Sequence, residues 1–122
     1  WRSNVDKTMK LLNQKVLLYS KEGFKIAGYG APTKVTLLLH LSKLTKNEVS
    51  YLIEDNILKV GRYTPGASIP IFSLDELKSR KPEIIIIFAW NFADDIIKKL
   101  KEIVDWKLKC IIPLPEYKEK VL

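Results

Sequence analysis

The sequence predicts an α/β domain with a mostly parallel sheet, and three observations support this fold class. Short apolar runs alternate along the chain with segments of helical periodicity. The run from Glu83 to Ala89 is almost continuously apolar, which is typical of a parallel strand covered on both faces. Another run ends in two glycines, Gly28 and Gly30, and turns directly into a helical segment. Strands joined by helical crossovers pack between layers of helices, and 122 residues fit one such domain.

Helices are predicted where apolar residues recur at intervals of three and four positions. One stripe, from Val5 to Tyr19, predicts a first helix over about residues 4–22. The other helices are expected directly after the glycine turn, over residues 74–80, and over residues 92–104. Ser3 or Asn4 is expected to cap the first helix, and Asn91 or Asp94 the fourth. Ser73 is expected to cap the third helix in a capping box with Glu76.

Strands are predicted between these helices. Residues 59–70 are predicted to form a loop, with a short extended piece at residues 69–71. Residues 113–116 are expected to end the last strand, and a tail is expected after them. The order of helices and strands is that of a Rossmann-like three-layer sandwich. The expected strands are residues 24–27, 47–53, 83–89 and 107–112.

Composition and charge limit the kinds of partner. Lysine and arginine outnumber aspartate and glutamate by 21 to 14, which gives a net charge of +7. The lysines are spread along the chain, and no aromatic–basic motif accompanies them. We therefore expect an anionic small molecule or an acidic protein surface as partner, and no nucleic acid. His40, the only histidine, is interpreted as a surface or packing residue.

Cysteine content and hydropathy bear on the compartment. Cys110 is the only cysteine, so no internal disulfide can form, which fits a reducing compartment. It lies in an apolar run and is interpreted as a core residue. The longest apolar run, from Ile84 to Trp90, is too short to span a bilayer. We expect a cytoplasmic protein with no membrane partner.

Ligands of open parallel sheets bind at the carboxyl ends of the strands. At the first such end, Gly28 and Gly30 allow close approach of another group, and the free N–H groups of the following helix would attract an anion. Lys34 would add a positive charge to the same anion. The alternative is a tight turn that binds nothing, because Thr33 stands where a dinucleotide-binding fingerprint requires a third glycine.

Other candidate binding residues follow the later strands. Asp55 lies 25 positions after the second glycine, near the spacing at which an acidic residue binds a ribose hydroxyl; it could equally cap its own turn. Arg62 and Tyr63 are the best ligand candidates of the long loop, one for an anion and one for a ring or hydroxyl. Trp90 and Asn91 follow the continuously apolar strand.

Several stretches together resemble one family, the C-terminal domain of S-adenosylmethionine-dependent C-methyltransferases. The resemblance covers about residues 10–116, and its motifs come in the family's order. One departure is Thr33-Lys34-Val35, where the family usually has Ala-Lys-Gly. The matching stretches are residues 28–34, 55–56, 59–71, 81–82, 89–94 and 112–116.

The resemblance implies a single domain over residues 1–122 that is the C-terminal part of a longer enzyme acting on a nucleotide-linked sugar. A separate N-terminal domain would bind S-adenosylmethionine and hold the catalytic base, after a zinc-binding segment. No cofactor and no catalytic residue are expected in this domain. The implied substrate contacts are Gly28, Tyr29, Gly30 and Lys34 for an anion, Asp55 for a hydroxyl, Arg62 and Tyr63 from the loop, and Trp90 and Asn91 for stacking and polar contact.

Two other functions remain open from the sequence. The first is a regulatory module that binds a nucleotide or coenzyme A with the same fold. The second is a structural domain that packs on the catalytic domain or forms a homo-oligomer. A complete dehydrogenase is disfavoured because the third glycine is missing.

Overall fold

The computed structural model describes residues 2–30, 33–55, 60–64 and 67–122, with the side chains of residues 2–4, 33 and 34 outside that description. Motif residues 31–32, 56–59 and 65–66 lie outside it as well. A 3-10 turn, Trp90–Phe92, directly precedes the last helix. In chain order the helices and strands are α1 (Arg2–Lys21), β1 (Ile26–Tyr29), α2 (Thr33–Ser42), β2 (Leu52–Ile53), β3 (Ile71–Phe72), α3 (Glu76–Arg80), β4 (Ile84–Ile87), α4 (Ala93–Ile103), β5 (Lys109–Ile112) and β6 (Lys118–Val121).

The strands within the described residues form one six-stranded sheet in the order β3-β2-β1-β4-β5-β6. The first five strands of that order pair in parallel, and β6 runs antiparallel to β5. The chain thus begins at the centre, extends to one edge, returns beside β1 and extends to the other edge. This doubly wound order confirms the predicted Rossmann-like, mostly parallel sheet.

The continuously apolar run forms β4, which lies between β1 and β5 as predicted for a central strand. All four of its isoleucines are buried. Ile84 and Ile86 pack on one face of the sheet, and Ile85 and Ile87 pack on the other. A strand needs apolar side chains at every position only when helices cover both of its faces.

Helices α1 and α2 cover one face, called here the first face, and α3 and α4 cover the second face. Met9, Leu12 and Val16 of α1 are buried on the first face. Leu77 of α3 and Leu100 of α4 are fully buried on the second. None of the described helices is both long and apolar enough to cross a lipid bilayer.

The predicted helix caps are wrong. Helix α1 begins at Arg2, so Ser3 and Asn4 lie inside it. Asp75, not Ser73, precedes α3, and it makes no capping hydrogen bond through its side chain. Phe92 precedes α4 because the 3-10 turn takes up the preceding residues, so Asp94 lies in the first turn, where its charge interacts favourably with the helix dipole.

Two strands differ from the prediction for tertiary reasons. The predicted tail contains β6, whose four exposed residues show no core-facing apolar pattern and are ordered by pairing with β5. The predicted second strand shortens to β2, because residues 46–48 form a turn in which Glu48 accepts hydrogen bonds from Thr45. The extended piece expected at residues 69–71 continues into β3, which pairs with β2.

Candidate functional site

Gly28 is required by packing inside the protein. A Cβ atom placed on Gly28 would lie 2.4 Å from Leu52 Cδ2 and 2.6 Å from Phe88 Cε2. Phe88 is 1% exposed and belongs to the first-face core. The absence of a side chain at Gly28 therefore makes room for an aromatic ring of this chain.

Gly30 permits a sharp turn at the carboxyl end of β1. Its φ of +92° is a backbone conformation that favours glycine, and a Cβ atom there would lie 2.8 Å from Ala89 Cβ. The Gly30 N–H donates a 2.7 Å hydrogen bond to Ile53 O, and the Gly28 N–H donates one of 2.9 Å to Tyr51 O. Both amides are thus engaged within the sheet, and neither points at a free anion site.

The helix start that follows contains Lys34, whose side chain lies outside the described residues. Val35, which replaces the family's glycine, is 1% exposed and packs in the first-face core. The departure from the family pattern therefore adds an apolar core residue to the first turns of α2.

Tyr29 and Asp55, both predicted site residues, meet at the carboxyl edge of the sheet. The Tyr29 hydroxyl donates a 2.8 Å hydrogen bond to Asp55 Oδ1, and Lys99 Nζ of α4 lies 2.8 Å from Asp55 Oδ2. Burial and the neighbouring Asp55 carboxylate raise the pKa of Tyr29 far above its usual range. No local feature of α4 distinguishes Lys99 from the other lysines of that helix, so its contact with Asp55 could not be predicted from the sequence.

Trp90 opens onto a cleft of about 550 Å³ on the first face, at the carboxyl ends of β4 and β5. Its floor is apolar, because Trp90 and Tyr117 pack against the first-face core. Lys7 and Glu116 supply one positive and one negative charge at the cleft. The remaining lining residues are Val5, Thr8, Leu11, Leu114 and Pro115, and the Leu114–Pro115 peptide bond is cis.

The sequence contains a partial signal for this cleft. Residues 112–116 belong to the matching motifs, and Trp90 and Asn91 were predicted site residues. Asn91 is exposed beside Trp90 in the same 3-10 turn. The wall formed by α1 was missed, because its side chains reach the cleft only after α1 packs across the sheet.

A polar cluster holds one wall of the cleft. The Tyr117 hydroxyl donates to Glu119, which also accepts a 2.9 Å hydrogen bond from the Tyr19 hydroxyl and lies 3.3 Å from Lys109 Nζ. Burial alone would raise the pKa of Glu119, but these hydrogen bonds hold it below its usual value. The cluster joins α1, β5 and β6 behind the cleft.

Arg62 and Tyr63 lie apart from the other predicted residues. Tyr63 pairs with Pro70, and the Arg62 carbonyl accepts a hydrogen bond from Ile71, so this segment runs along the outer side of β3. Four strand spacings separate it from β4, which corresponds to about 19 Å. Both side chains are exposed there, and the structure does not bring them to Trp90.

Cys110 and His40, the two remaining titratable candidates, are a core residue and a surface residue. Cys110 is fully buried, and burial raises its pKa to about 11, which confirms the core interpretation. His40 is exposed on α2, as expected of a surface residue. Among the described residues, no group of histidine, cysteine, aspartate and glutamate side chains is arranged to hold a metal ion.

Two comparisons with known proteins extend this description. Residues 1–115 match a protein family described as the C-methyltransferase C-terminal domain. The chain is also 37% identical, over 95 residues, to the C-methyltransferase NovU of Streptomyces niveus. That match covers 78% of this chain and 23% of NovU, so the chain spans about a quarter of the length of this curated relative.

Proposed function

The chain belongs to the family of C-methyltransferase C-terminal domains, and on that premise we propose that it forms the substrate side of an S-adenosylmethionine-dependent enzyme acting on a nucleotide-linked sugar. The proposal includes a longer parent chain, whose other part binds the methyl donor and supplies the catalytic base. Cys110, the only cysteine of this chain, is buried and unpaired, so this domain is compatible with the cytoplasmic location that we propose for the enzyme.

The cleft beside Trp90 is the observation that carries the proposal. The Trp90 indole and the Tyr117 ring offer aromatic surface for a nucleobase or a sugar ring. Lys7 supplies a cation for a phosphate, and the Glu116 carboxylate can accept hydrogen bonds from sugar hydroxyls. An apolar floor with a few polar groups at the edge is the usual composition of a small-molecule site.

The net charge of +7 supports an anionic substrate, since a positive field concentrates anions near the protein surface. Asp55 offers a further polar contact outside the cleft, on the second face of the sheet. Because Tyr29 and Lys99 orient its carboxylate, Asp55 is prepared to accept a hydrogen bond from a substrate hydroxyl at the carboxyl edge.

Catalysis is assigned to the other part of the enzyme. The Tyr117 hydroxyl faces the Glu119 carboxylate, and burial together with that carboxylate raises the pKa of Tyr117 far above its usual range. Such a hydroxyl is a poor proton acceptor near neutral pH. We therefore assign Tyr117 no part in proton transfer, and we assign this domain the binding and orientation of the substrate.

The test is a titration followed by nuclear magnetic resonance, using dTDP-glucose, UDP-glucose and S-adenosylmethionine as separate probes. The Trp90 indole N–H signal should shift with a nucleotide-sugar, while the Trp106 indole, which donates to Pro82 O on the opposite side, should stay constant. Replacing Lys7 with Gln should weaken nucleotide-sugar binding about fivefold. A shift with S-adenosylmethionine alone, or with none of the probes, would contradict the proposal.

A further inference from the structure

A second surface, formed by α1 and α2, lies away from the cleft. The two helices are held side by side, with Asn13 Nδ2 donating a 2.7 Å hydrogen bond to the carbonyl of Ser42. A groove of about 320 Å³ runs between them, and its exposed lining residues are Asp6, Lys10, Gln14, Leu41 and Lys43. We call these residues, together with the exposed Leu17 of α1 and Leu37 of α2, the α1–α2 face.

Three leucines of the α1–α2 face are exposed to solvent. Leu37 is 56% exposed, Leu17 is 41% exposed and Leu41 is 40% exposed. Leu37 and Leu41 are one turn apart on α2, and Leu17 lies one turn after Asn13, which bonds to the end of α2. Several large aliphatic side chains grouped on one face are typical of a contact surface.

The part of the sequence that contains α1 and α2 also carries almost all of the excess positive charge of the chain. Residues 2–43 contain eight lysines and arginines but only two acidic residues, whereas the rest of the chain is close to neutral, with 13 basic and 12 acidic residues. Lys10 and Lys43 are exposed, and neither forms an ion pair within the described part of the chain. The face therefore combines exposed leucines with two unpaired lysines, against the single carboxylate of Asp6.

This combination limits what the face can bind. Contact between two copies through the same face would place like charges together, and the nearly neutral remainder of the chain offers no strongly acidic surface for it. Single-stranded nucleic acid is bound through exposed aromatic rings, whereas the exposed large hydrophobic residues of the described α1 and α2 side chains are leucines. An acidic protein surface with apolar side chains complements both features.

We propose that the α1–α2 face docks onto an acidic, partly apolar surface of the methyltransferase outside this domain. This inference rests on the proposed function, which places the domain in a longer chain. The relative NovU is such a longer chain, because the match covers only 23% of its length. Docking through this face leaves the carboxyl edge and the cleft free to face the donor-binding part.

Lysine acetylation read by mass spectrometry tests this docking. The rates at Lys10 and Lys43 are compared between the isolated chain and the intact methyltransferase, with exposed Lys98 and Lys101 of α4 as internal references. Docking should slow the reaction at Lys10 and Lys43 about fivefold and leave the α4 lysines unchanged. Equal rates in both proteins, or protection of α4 instead, would overturn the inference.

Charge reversal supplies the matched variants. Lys10→Glu with Lys43→Glu should remove the protection of Leu17 and Leu37 amides from hydrogen exchange in the intact enzyme, and Lys98→Glu with Lys101→Glu should not. Sedimentation should show that the isolated chain is a monomer. If the chain instead self-associates through the α1–α2 face, a second copy would protect the Leu17 and Leu37 amides, and this would overturn the assignment of the partner. The isolated charge-reversed chain should keep its nucleotide-sugar response at Trp90, so failure of docking and failure of the proposed function are distinguishable.

Discussion

The hydroxyl of Tyr29 donates a 2.8 Å hydrogen bond to Asp55 Oδ1, which connects the end of β1 to the segment after β2. The second carboxylate oxygen of Asp55 is held by Lys99. Each oxygen keeps a further lone pair for another donor. Tyr29 and Lys99 therefore orient the Asp55 carboxylate at the edge of the sheet where ligands of this fold bind.

Replacing Tyr29 with Phe should lower the free energy of unfolding by about 1 kcal/mol, because Asp55 loses one partner and the buried ring loses its polar anchor. Urea denaturation measures the change. Tyr63→Phe is the matched control, since the Tyr63 ring is 66% exposed. Equal stability of the two variants would show that the Tyr29–Asp55 bond contributes nothing.

The same substitution at Tyr51 should have the opposite effect. The Tyr51 hydroxyl is buried and is the one buried side-chain polar atom without a hydrogen-bond partner among the described residues. Burial raises its pKa to about 12. Tyr51→Phe removes an unsatisfied polar group and should raise the free energy of unfolding by up to about 1 kcal/mol. A loss of stability in urea denaturation would show that the hydroxyl has a partner.

Gly28→Ala should destabilise the protein by about 2 kcal/mol, because the added Cβ would overlap Leu52 and Phe88. The companion substitution Phe88→Leu removes part of the overlapping ring. In a double-mutant cycle measured by denaturation, the two changes together should cost less than the sum of their separate costs.

Gly23→Ala is the control for backbone strain alone, since Gly23 has a φ of +88° and open space around it. It should cost about 1 kcal/mol. Strict additivity of Gly28→Ala and Phe88→Leu would contradict the overlap between them.

Stability should depend on pH through Glu119. Its pKa is lower in the folded protein than its usual value of 4.5, so the unfolded chain binds the proton more tightly, and the stability it contributes is lost as the pH falls below about 4.5. Glu119→Gln should therefore reduce the slope of stability against pH between about pH 3 and 5.

The control for this pH dependence is Glu102→Gln, a substitution on the exposed surface of α4. It should leave the slope unchanged. If Glu119→Gln and Glu102→Gln give the same thermal unfolding profile at every pH, the cluster of Glu119, Tyr19 and Lys109 does not govern the acid response.

The order of the elements and the central position of β4 could be predicted because they depend on local patterns. A run of four isoleucines is apolar in any context, and Gly30 directly after β1 favours a turn in any context. Strand β6 could not be predicted, because Lys118 to Val121 become a strand only by pairing with β5. The predicted N-terminal caps were wrong because α1 already begins at Arg2, because Asp75 and not Ser73 precedes α3, and because a 3-10 turn precedes α4.

For the candidate site, the sequence placed Tyr29 and Asp55 at strand ends, whereas their partners from distant elements could not be predicted. Tyr29 and Asp55 lie together at the carboxyl edge, but Lys99 comes from α4, 44 positions away from Asp55. The cleft joins Trp90 to α1 and to the segment after β5. Arg62 was chosen for its long loop and its place in a matching motif, and the sheet order then places it at the far edge, away from Trp90.

The sequence by itself determined the fold class, the buried central strand and the family resemblance, since each depends on residue type at short spacing. Only the tertiary structure decided that Gly28 accommodates Phe88, that Trp90 faces α1, and that Lys10 and Lys43 meet the exposed Leu41 at one groove between α1 and α2. These relationships depend on contacts between residues far apart in the chain, which form when the helices pack on the sheet and which local periodicity does not encode.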